Sequence, residues 1–126
     1  MRITVPISVG ELYDKISILE IKSAVLFNDR NKANNVDKEL SELRAISDNY
    51  PIGDELFNQL KEVNKRIWDI EDAIRECERD NHFKERFIEL ARAVYLNNDE
   101  RSRIKKEINI QFNSDIIEEK SYKEYK

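Results

Sequence analysis

The sequence predicts an all-α protein, built as one bundle of about five helices. Only two glycines and two prolines occur among 126 residues, which leaves few of the turns that an all-β protein needs. Apolar residues make up 40% of the chain and charged residues 38%, and the apolar ones recur every three or four positions. The length fits a single domain over residues 1–126 that can bury a core without disulfides or metal.

The N-terminal stretch "RITVPIS", residues 2–8, predicts an extended segment before the first helix. It is rich in β-branched residues, and Pro6 lacks a backbone N–H. We expect either a short edge strand or an extended arm, because proline is tolerated in both.

The first helix is predicted to begin at Ser8 and to run to about Phe27. The tetrapeptide "SVGE" forms a capping box, in which Ser8 accepts from the backbone of Glu11 and Glu11 reaches back to Ser8. Ile7 and Leu12 occupy the positions of a hydrophobic staple.

The second helix is predicted over Arg30 to Ile46, with Asp29 as its N-cap. Its single apolar stripe and the short turn "NDRN" indicate an antiparallel hairpin with the first helix. The composition of "SDNYPIG", residues 47–53, indicates a loop after it.

The third and longest helix is predicted over Glu55 to Asp80, with Asp54 as its cap. Its apolar residues alternate at four- and three-residue spacing over about three heptads, which is typical of a coiled-coil seam. They are Leu56, Leu60, Val63, Ile67, Ile70, Ile74 and Cys77.

Two shorter helices are predicted in the C-terminal third. The first spans about Phe83 to Leu96 and ends at "NND"; Asp99 then caps the second, which runs to about Phe112. The polar tail is expected to dock through Ile116 and Ile117 and to be flexible over about 117–126.

The first helix carries apolar residues on two faces. Leu12, Ile16, Leu19 and Leu26 form one stripe, and Ile18, Ile21 and Val25 form a second, nearly opposite one. A helix that is apolar on two sides is normally covered on both. The candidate interface Ile18, Ile21 and Val25 is therefore covered either by the C-terminal helices or by another copy of the chain.

Charge and composition exclude several classes of function. A net charge of −4 argues against nucleic-acid binding, and the absence of an apolar run of about 18 residues argues against membrane insertion. The single cysteine, Cys77, excludes an internal disulfide and fits a cytoplasmic location. Without a Gly-rich phosphate loop or a second ligand near His82 or Cys77, we expect no cofactor and no metal site.

Acidic residues line the long helix opposite its apolar seam, at Asp69, Asp72, Glu76 and Asp80. Such carboxylates can hold Mg²⁺. Lys65, Arg75 and Arg79 lie three or four residues away and can neutralise them, which favours a solvated face.

The spacing of the charged residues can be compared with the patterns of two classes of helical enzyme. All-α nucleoside-triphosphate pyrophosphohydrolases bind Mg²⁺ through an E-x-x-E and an E-x-x-D pair of carboxylates on neighbouring helices. Glu39/Glu42 and Glu11/Asp14 match the two patterns but stand in reversed order along the chain. Asp69/Asp72 follows Glu39/Glu42 in the right order, but its first residue is aspartate and not glutamate. The phrase "NKRIWDIEDAI" is similar in rhythm to the first helix of chorismate mutases, but no Arg/Lys clamp for a dicarboxylate is identified.

Four ordered segments, "VPISVGELYDKISILEIK", "IWDIEDAIRECER", "RFIELARAVYLNNDERSRIKKEIN" and "IIEEKSY", carry a family resemblance. They resemble a family of short bacterial and phage proteins known only as a domain of unknown function. The resemblance covers nearly the whole chain. It implies no activity, only an association with glycosyltransferase or surface-polysaccharide genes.

Polar residues within these segments form a candidate polar site, able to bind an anion or a sugar if the bundle gathers them. The core of this set is Asp14, Lys15, Lys22, Glu71, Asp72, Arg75, Arg92 and Arg101. Further members are Glu20, Asp99, Glu118, Glu119, Lys120 and Tyr122. The alternative is that they serve as helix caps and interhelical ion pairs.

The leading functional hypothesis is a non-enzymatic interaction module or adaptor that binds a protein partner or another copy of itself. The alternative is a small helical enzyme that uses carboxylates and Mg²⁺ for phosphate chemistry. The enzyme hypothesis predicts acidic groups that converge in a pocket. The module hypothesis predicts a contiguous apolar patch.

Overall fold

The structure is a computed structural model that describes residues 1–126, and it contains four helices and no strand. They are α1 (Val9–Val25), α2 (Arg30–Ser47), α3 (Asp54–Arg79) and α4 (Glu85–Gln111). The all-α prediction is confirmed. None of the four helices combines the length and the apolar character that crossing a membrane requires.

The prediction of two separate C-terminal helices was wrong, because α4 is continuous through "NND". Asn97 donates from Nδ2 to the carbonyl of Ala93 at 2.8 Å, a bond within the helix. Asn98 accepts a hydrogen bond of 2.6 Å from Arg101, one turn further on. Asparagine inside a helix costs well under about 1 kcal/mol, so packing of the apolar residues on either side overrides it.

Two of the four predicted helix caps form, at Ser8 and Asp29, and two do not, at Asp54 and at Asp99, which lies inside α4. Ser8 Oγ accepts from the Glu11 N–H at 3.0 Å, and an Asp29 carboxylate oxygen accepts from the Lys32 N–H at 3.2 Å. Asp54 is not a cap: α3 is preceded by Gly53, whose φ of +81° suits glycine, and Asp54 lies in the first turn. In the first turn its negative charge interacts favourably with the positive end of the helix dipole.

Helix α1 is the centre of the bundle. It packs against each of the other three helices, α3 also packs against α4, and α2 packs against α1 alone. The ring of Tyr13 meets Phe57 edge-on at 6.0 Å, while Asn64 reaches Ser17, so α1 and α3 run in the same direction. The core lies around Leu60, Val63, Ile104 and Ile108, none more than 2% exposed.

The chain itself covers much of the second apolar face of α1. Ile21 is 4% exposed and Ile18 is half-buried, whereas Val25, at the end of the helix, is 48% exposed. The uncovered part of this face is therefore the C-terminal end of α1.

Both ends of the chain are extended. Residues 1–7 pair with no strand, so they form an arm, which an ion pair between Arg2 and Glu42 ties to α2. After α4, the tail from Ser114 onwards turns back along that helix. Ile116 and Ile117 remain 36% and 43% exposed, so polar contacts rather than these isoleucines hold the tail.

The α3–α4 hairpin is longer than the rest of the bundle. At 1.5 Å per residue, α1 is about 25 Å long and α3 and α4 are each about 40 Å. The end of α3 and the beginning of α4 consequently extend beyond the end of α1. We call this projecting part of the hairpin, residues 70–95, the hairpin arm.

Candidate functional site

A nearly buried ammonium group joins three parts of the chain. Lys105 on α4 keeps 13% of its side chain exposed, and its Nζ lies 2.7 Å from a carboxylate oxygen of Glu11. Nζ is also 3.3 Å from Asp14 and 3.4 Å from Glu118. One cation thus connects the first turns of α1, the second half of α4 and the tail.

A buried amide extends this cluster into α3. Asn64 is 4% exposed and donates from Nδ2 to Asp14 Oδ1 and to Ser17 Oγ, both at 2.7 Å. Its Oδ1 accepts from Arg101 at 3.1 Å. Every hydrogen-bonding atom of this amide is aligned by a neighbour, which fixes the geometry around Asp14.

Arg101 carries a positive charge that no carboxylate neutralises. Its two hydrogen-bond acceptors are the amide oxygens of Asn64, at 3.1 Å, and Asn98, at 2.6 Å. It takes part in none of the ion pairs of the chain. A guanidinium has five N–H donors, so Arg101 retains capacity for an anion.

Helices α1 and α4 touch through Gly10. Its backbone N–H donates to Asn109 Oδ1 at 2.6 Å, and a Cβ at this position would lie 2.7 Å from the carbonyl oxygen of Lys105. Asn109 is 1% exposed, yet its Nδ2 has no hydrogen-bond partner in the chain. A buried donor left unpaired costs about 1–3 kcal/mol, so this amide is a specific feature to explain.

Ser8 links the start of α1 to the tail. While its Oγ accepts from the Glu11 N–H, its hydroxyl donates to a Glu118 carboxylate oxygen at 2.7 Å. Burial alone would raise the pKa of Glu118, but the Ser8 hydrogen bond and the charge of Lys105 outweigh it and hold that pKa below its usual value. The tail is therefore attached through an ionised carboxylate at neutral pH.

The cation at the centre of the cluster is stabilised in the same way. Burial would lower the pKa of Lys105, but the hydrogen bond from Nζ to Glu11 and the charges of Asp14 and Glu118 raise it overall. Lys105 thus remains protonated, and three carboxylates face one ammonium.

Two adjoining cavities of about 310 Å³ each open beside this cluster. We call them together the polar cleft. The residues that line both are Ser102, Lys105, Glu118, Lys120 and Tyr122. One cavity is completed by Glu11, Asp14, Asn98 and Arg101, and the other by Asp99, Arg103, Lys106, Asn109 and Glu119.

The structure brings only part of the predicted polar set to the cleft. Asp14 and Arg101 line it, and Lys15 lies at its rim, 3.9 Å from Glu11. Lys22 lies two turns further along α1. The remaining four lie on the hairpin arm: Glu71 and Arg75, which pair with each other at 3.2 Å, and the exposed Asp72 and Arg92. Of the further members, Asp99, Glu118, Glu119, Lys120 and Tyr122 line the cleft.

Sequence reasoning missed three residues at the centre of the cluster. Lys105 stood in a basic run, "RSRIKK", that is typical of a solvated helix face. Asn64 and Asn109 are adjacent to the buried residues Val63 and Ile108, and an amide beside a core position is the signal that could have identified them.

The carboxylate pairs of the Mg²⁺ hypothesis do not meet. Glu39 and Glu42 are exposed on α2, Asp69 and Asp72 are exposed on α3, and these two helices do not pack against each other. Asp69 is instead 2.8 Å from Lys65. No group of three or more His, Cys, Asp or Glu side chains is placed to share a metal ion.

The hairpin arm presents a second surface of interest. Along the seam of α3, Leu56, Leu60 and Val63 are buried, Ile70 and Ile74 further along are only half-buried, and Cys77 near the end of the helix is buried again. On α4 the stripe that contains Lys105 and Asn109 faces α1. Its continuation past the end of α1 is apolar, at Phe87, Ala91 and Tyr95.

These features define a four-helix bundle with a polar cleft that the C-terminal tail closes. The chain belongs to a family of unknown function (DUF6165), which matches residues 3–125. The resemblance to an uncharacterised family is thereby confirmed, and three of its four segments contribute residues to the cleft. Comparisons with curated proteins and with solved structures find no match.

Proposed function

We propose that the protein is a non-enzymatic interaction module that forms a homodimer through the hairpin arm. The observation that carries this proposal is the seam of α3, which continues into the arm after α1 has ended. In the arm α3 and α4 pack against each other, but the third helix that α1 supplies to the rest of the hairpin is missing. A second copy of the chain supplies one.

The arm and the end of α1 leave several large apolar side chains half-exposed. Phe83, Ile88 and Tyr95 are 46%, 56% and 44% exposed, and Val25 and Phe27 at the end of α1 are 48% and 70% exposed. Since a large side chain covers about 150–250 Å², five of them leave on the order of 500 Å² per copy. Two copies reach the roughly 1,000 Å² that a specific interface requires.

Two-fold symmetry suits this surface. Two arms packed side by side form four antiparallel helices, in which each arm covers the apolar stripe of the other. The same patch serves both copies, so the assembly closes as a dimer. At the tip of the arm the rings of Phe83 and Phe87 pack edge to face, with centroids 5.4 Å apart.

Sedimentation equilibrium on the full chain tests the proposal with a matched pair of variants. Ile88→Glu places a charge in the proposed interface. Ile110→Glu places the same charge on α4 outside the arm, at a position 60% exposed against 56% for Ile88. We expect the wild type and Ile110→Glu to sediment as dimers and Ile88→Glu as a monomer with unchanged helix content.

A wild type that sediments as a monomer at concentrations on the order of 100 μM would overturn the proposal. So would a dimer that persists in Ile88→Glu, because its interface would then lie elsewhere. Loss of the dimer in both variants would likewise contradict an interface located on the arm.

A further inference from the structure

The polar cleft contains binding capacity that the chain does not use. Lys105 is saturated by three carboxylates, but Arg101 has no carboxylate partner and Lys120 forms no ion pair, although both line the same cavity. Asn109, 1% exposed, lines the adjoining cavity and has a donor without a partner. Arg101 and Lys120 are thus cations that lack an anion, and Asn109 contains a donor that lacks an acceptor.

Charge limits what such a ligand can be. The cavity that Arg101 lines has equal numbers of acidic and basic residues, so its formal net charge is zero. The acidic residues are Glu11, Asp14 and Glu118, and the basic ones are Arg101, Lys105 and Lys120. The two signs of charge occupy different parts of its wall. An acidic wall surrounds Lys105, and the two unpaired cations complete the lining. A ligand with anionic groups at both ends would be repelled by the acidic wall, whereas a neutral one would leave Arg101 unpaired.

We propose that the polar cleft binds a small metabolite that carries one phosphate or carboxylate group on a hydroxyl-bearing body. The anionic group binds Arg101 and Lys120. The hydroxyl groups donate to the carboxylates of Glu11 and Glu118, whose oxygens can accept further hydrogen bonds beside those from Lys105 and Ser8.

Size and shape agree with this class. Cavities of about 310 Å³ are at the small end of the range of roughly 300–1,000 Å³ for small-molecule sites. Tyr122, on the tail, lines both cavities and can lay its ring against the apolar edge of a hydroxylated body. The site is separate from the hairpin arm, so the inference does not depend on dimer formation.

Isothermal titration calorimetry on the full chain tests it with four probes: ribose 5-phosphate, gluconate, ribose and inorganic phosphate. The first two carry an anion and hydroxyls, and they distinguish phosphate from carboxylate recognition. We expect at least one of them to bind once per chain, at least tenfold more tightly than ribose or inorganic phosphate.

Variants place the ligand in the cleft. We expect Arg101→Gln to weaken binding at least tenfold and Lys120→Ala about threefold or more. Lys123→Ala, three residues further along the tail and outside both cavities, should leave binding unchanged. Because Arg101 also contacts the buried Asn64, Lys120→Ala is the decisive variant if Arg101→Gln does not fold.

Two results would overturn the inference. One is the absence of binding by both ribose 5-phosphate and gluconate at millimolar concentration. The other is binding that Lys120→Ala leaves unchanged, or that ribose or inorganic phosphate matches in affinity, because the combined recognition of anion and hydroxyls would then be missing.

Discussion

Gly10 and Asn109 are joined by a hydrogen bond of 2.6 Å from the backbone N–H of Gly10 to Asn109 Oδ1. This bond brings the first turn of α1 against the backbone of α4, closer than any residue with a side chain would allow. The other polar atom of this amide, Nδ2, is buried and has no partner in the chain. The residue that holds the two helices together thus also contains the unpaired donor.

Gly10→Ala is expected to destabilise the protein despite the better helix propensity of alanine. The new Cβ would lie 2.7 Å from the carbonyl oxygen of Lys105, which belongs to the rigid backbone of α4. Overpacking of this kind costs about 1–3 kcal/mol, and alanine recovers only about 0.5–1 kcal/mol. Urea denaturation should show a loss of about 1–2 kcal/mol in the free energy of unfolding.

Asn35→Ala is the matched control, because it also improves helix propensity but lies exposed on α2. We expect it to be neutral or slightly stabilising. An equal or higher stability of Gly10→Ala would contradict the close contact between α1 and α4.

Lys105→Met should be among the most destabilising substitutions in the chain. The variant keeps the length of the side chain but removes the only cation within 4 Å of Asp14, whose side chain is 9% exposed. Removing one partner of a buried ion pair costs about 3–5 kcal/mol, because the other charge remains uncompensated. Thermal and urea denaturation at pH 7 measure the loss.

The neighbouring Lys106→Met provides the control for Lys105→Met. Lys106 pairs with Glu119 at 3.0 Å, but the two side chains are 47% and 70% exposed. An ion pair in solvent contributes less than about 1 kcal/mol, so this variant should be nearly neutral. Similar losses in both variants would show that the burial of Lys105 has no special role.

The sequence predicted the parts of the fold that depend on neighbouring residues. The side-chain caps at Ser8 and Asp29 form as expected, because a cap is made by residues three apart. The second half of the predicted capping box does not form, because Glu11 pairs with Lys105 on α4 instead of reaching back to Ser8. The break at "NND" was wrong for the opposite reason. Whether asparagine ends a helix depends on what packs beside it, and the part of α3 beside Asn97, at Arg66, lies 31 residues away in sequence.

The candidate site was predicted less well because its members come from four separate parts of the chain. Asp14 and Arg101 were among the predicted residues, but the charge between Asp14 and the tail, Lys105, was not. Nothing in the local pattern distinguishes Lys105 from Lys106, although one is buried and the other exposed. The rotation of α4 against α1, set by Gly10, decides between them.

Acid should weaken the attachment of the tail. The folded-state pKa of Glu118 lies below its ordinary value of 4.5. Its contribution to stability is therefore complete above about pH 4.5, and it is lost as pH falls through the folded-state pKa. We expect the free energy of unfolding to fall below about pH 4.5, and amide exchange in residues 114–126 to accelerate over the same range.

Glu118→Gln and Glu124→Gln separate this effect from general acid sensitivity. Glu118→Gln should flatten the pH dependence of stability below pH 4.5 only in part, because a second carboxylate also contributes there. Burial raises the pKa of Glu20, but its contacts with Lys61 and Arg44 outweigh burial and lower that pKa overall. Glu124→Gln, exposed on the tail, should keep the wild-type profile. An unchanged profile in Glu118→Gln would exclude this carboxylate as the acid-sensitive attachment.

Ser8→Ala should cost more than the loss of an ordinary N-cap. Removal of a cap costs about 0.5–2 kcal/mol, and the exposed cap Asp29→Ala measures that effect in this chain. Ser8 is 2% exposed and also donates to Glu118, so its removal leaves a partly buried carboxylate short of a donor. We expect a further loss of about 1 kcal/mol and faster amide exchange in the tail, which Asp29→Ala should not change. Equal losses, with the tail undisturbed, would mean that the hydroxyl of Ser8 acts on α1 alone.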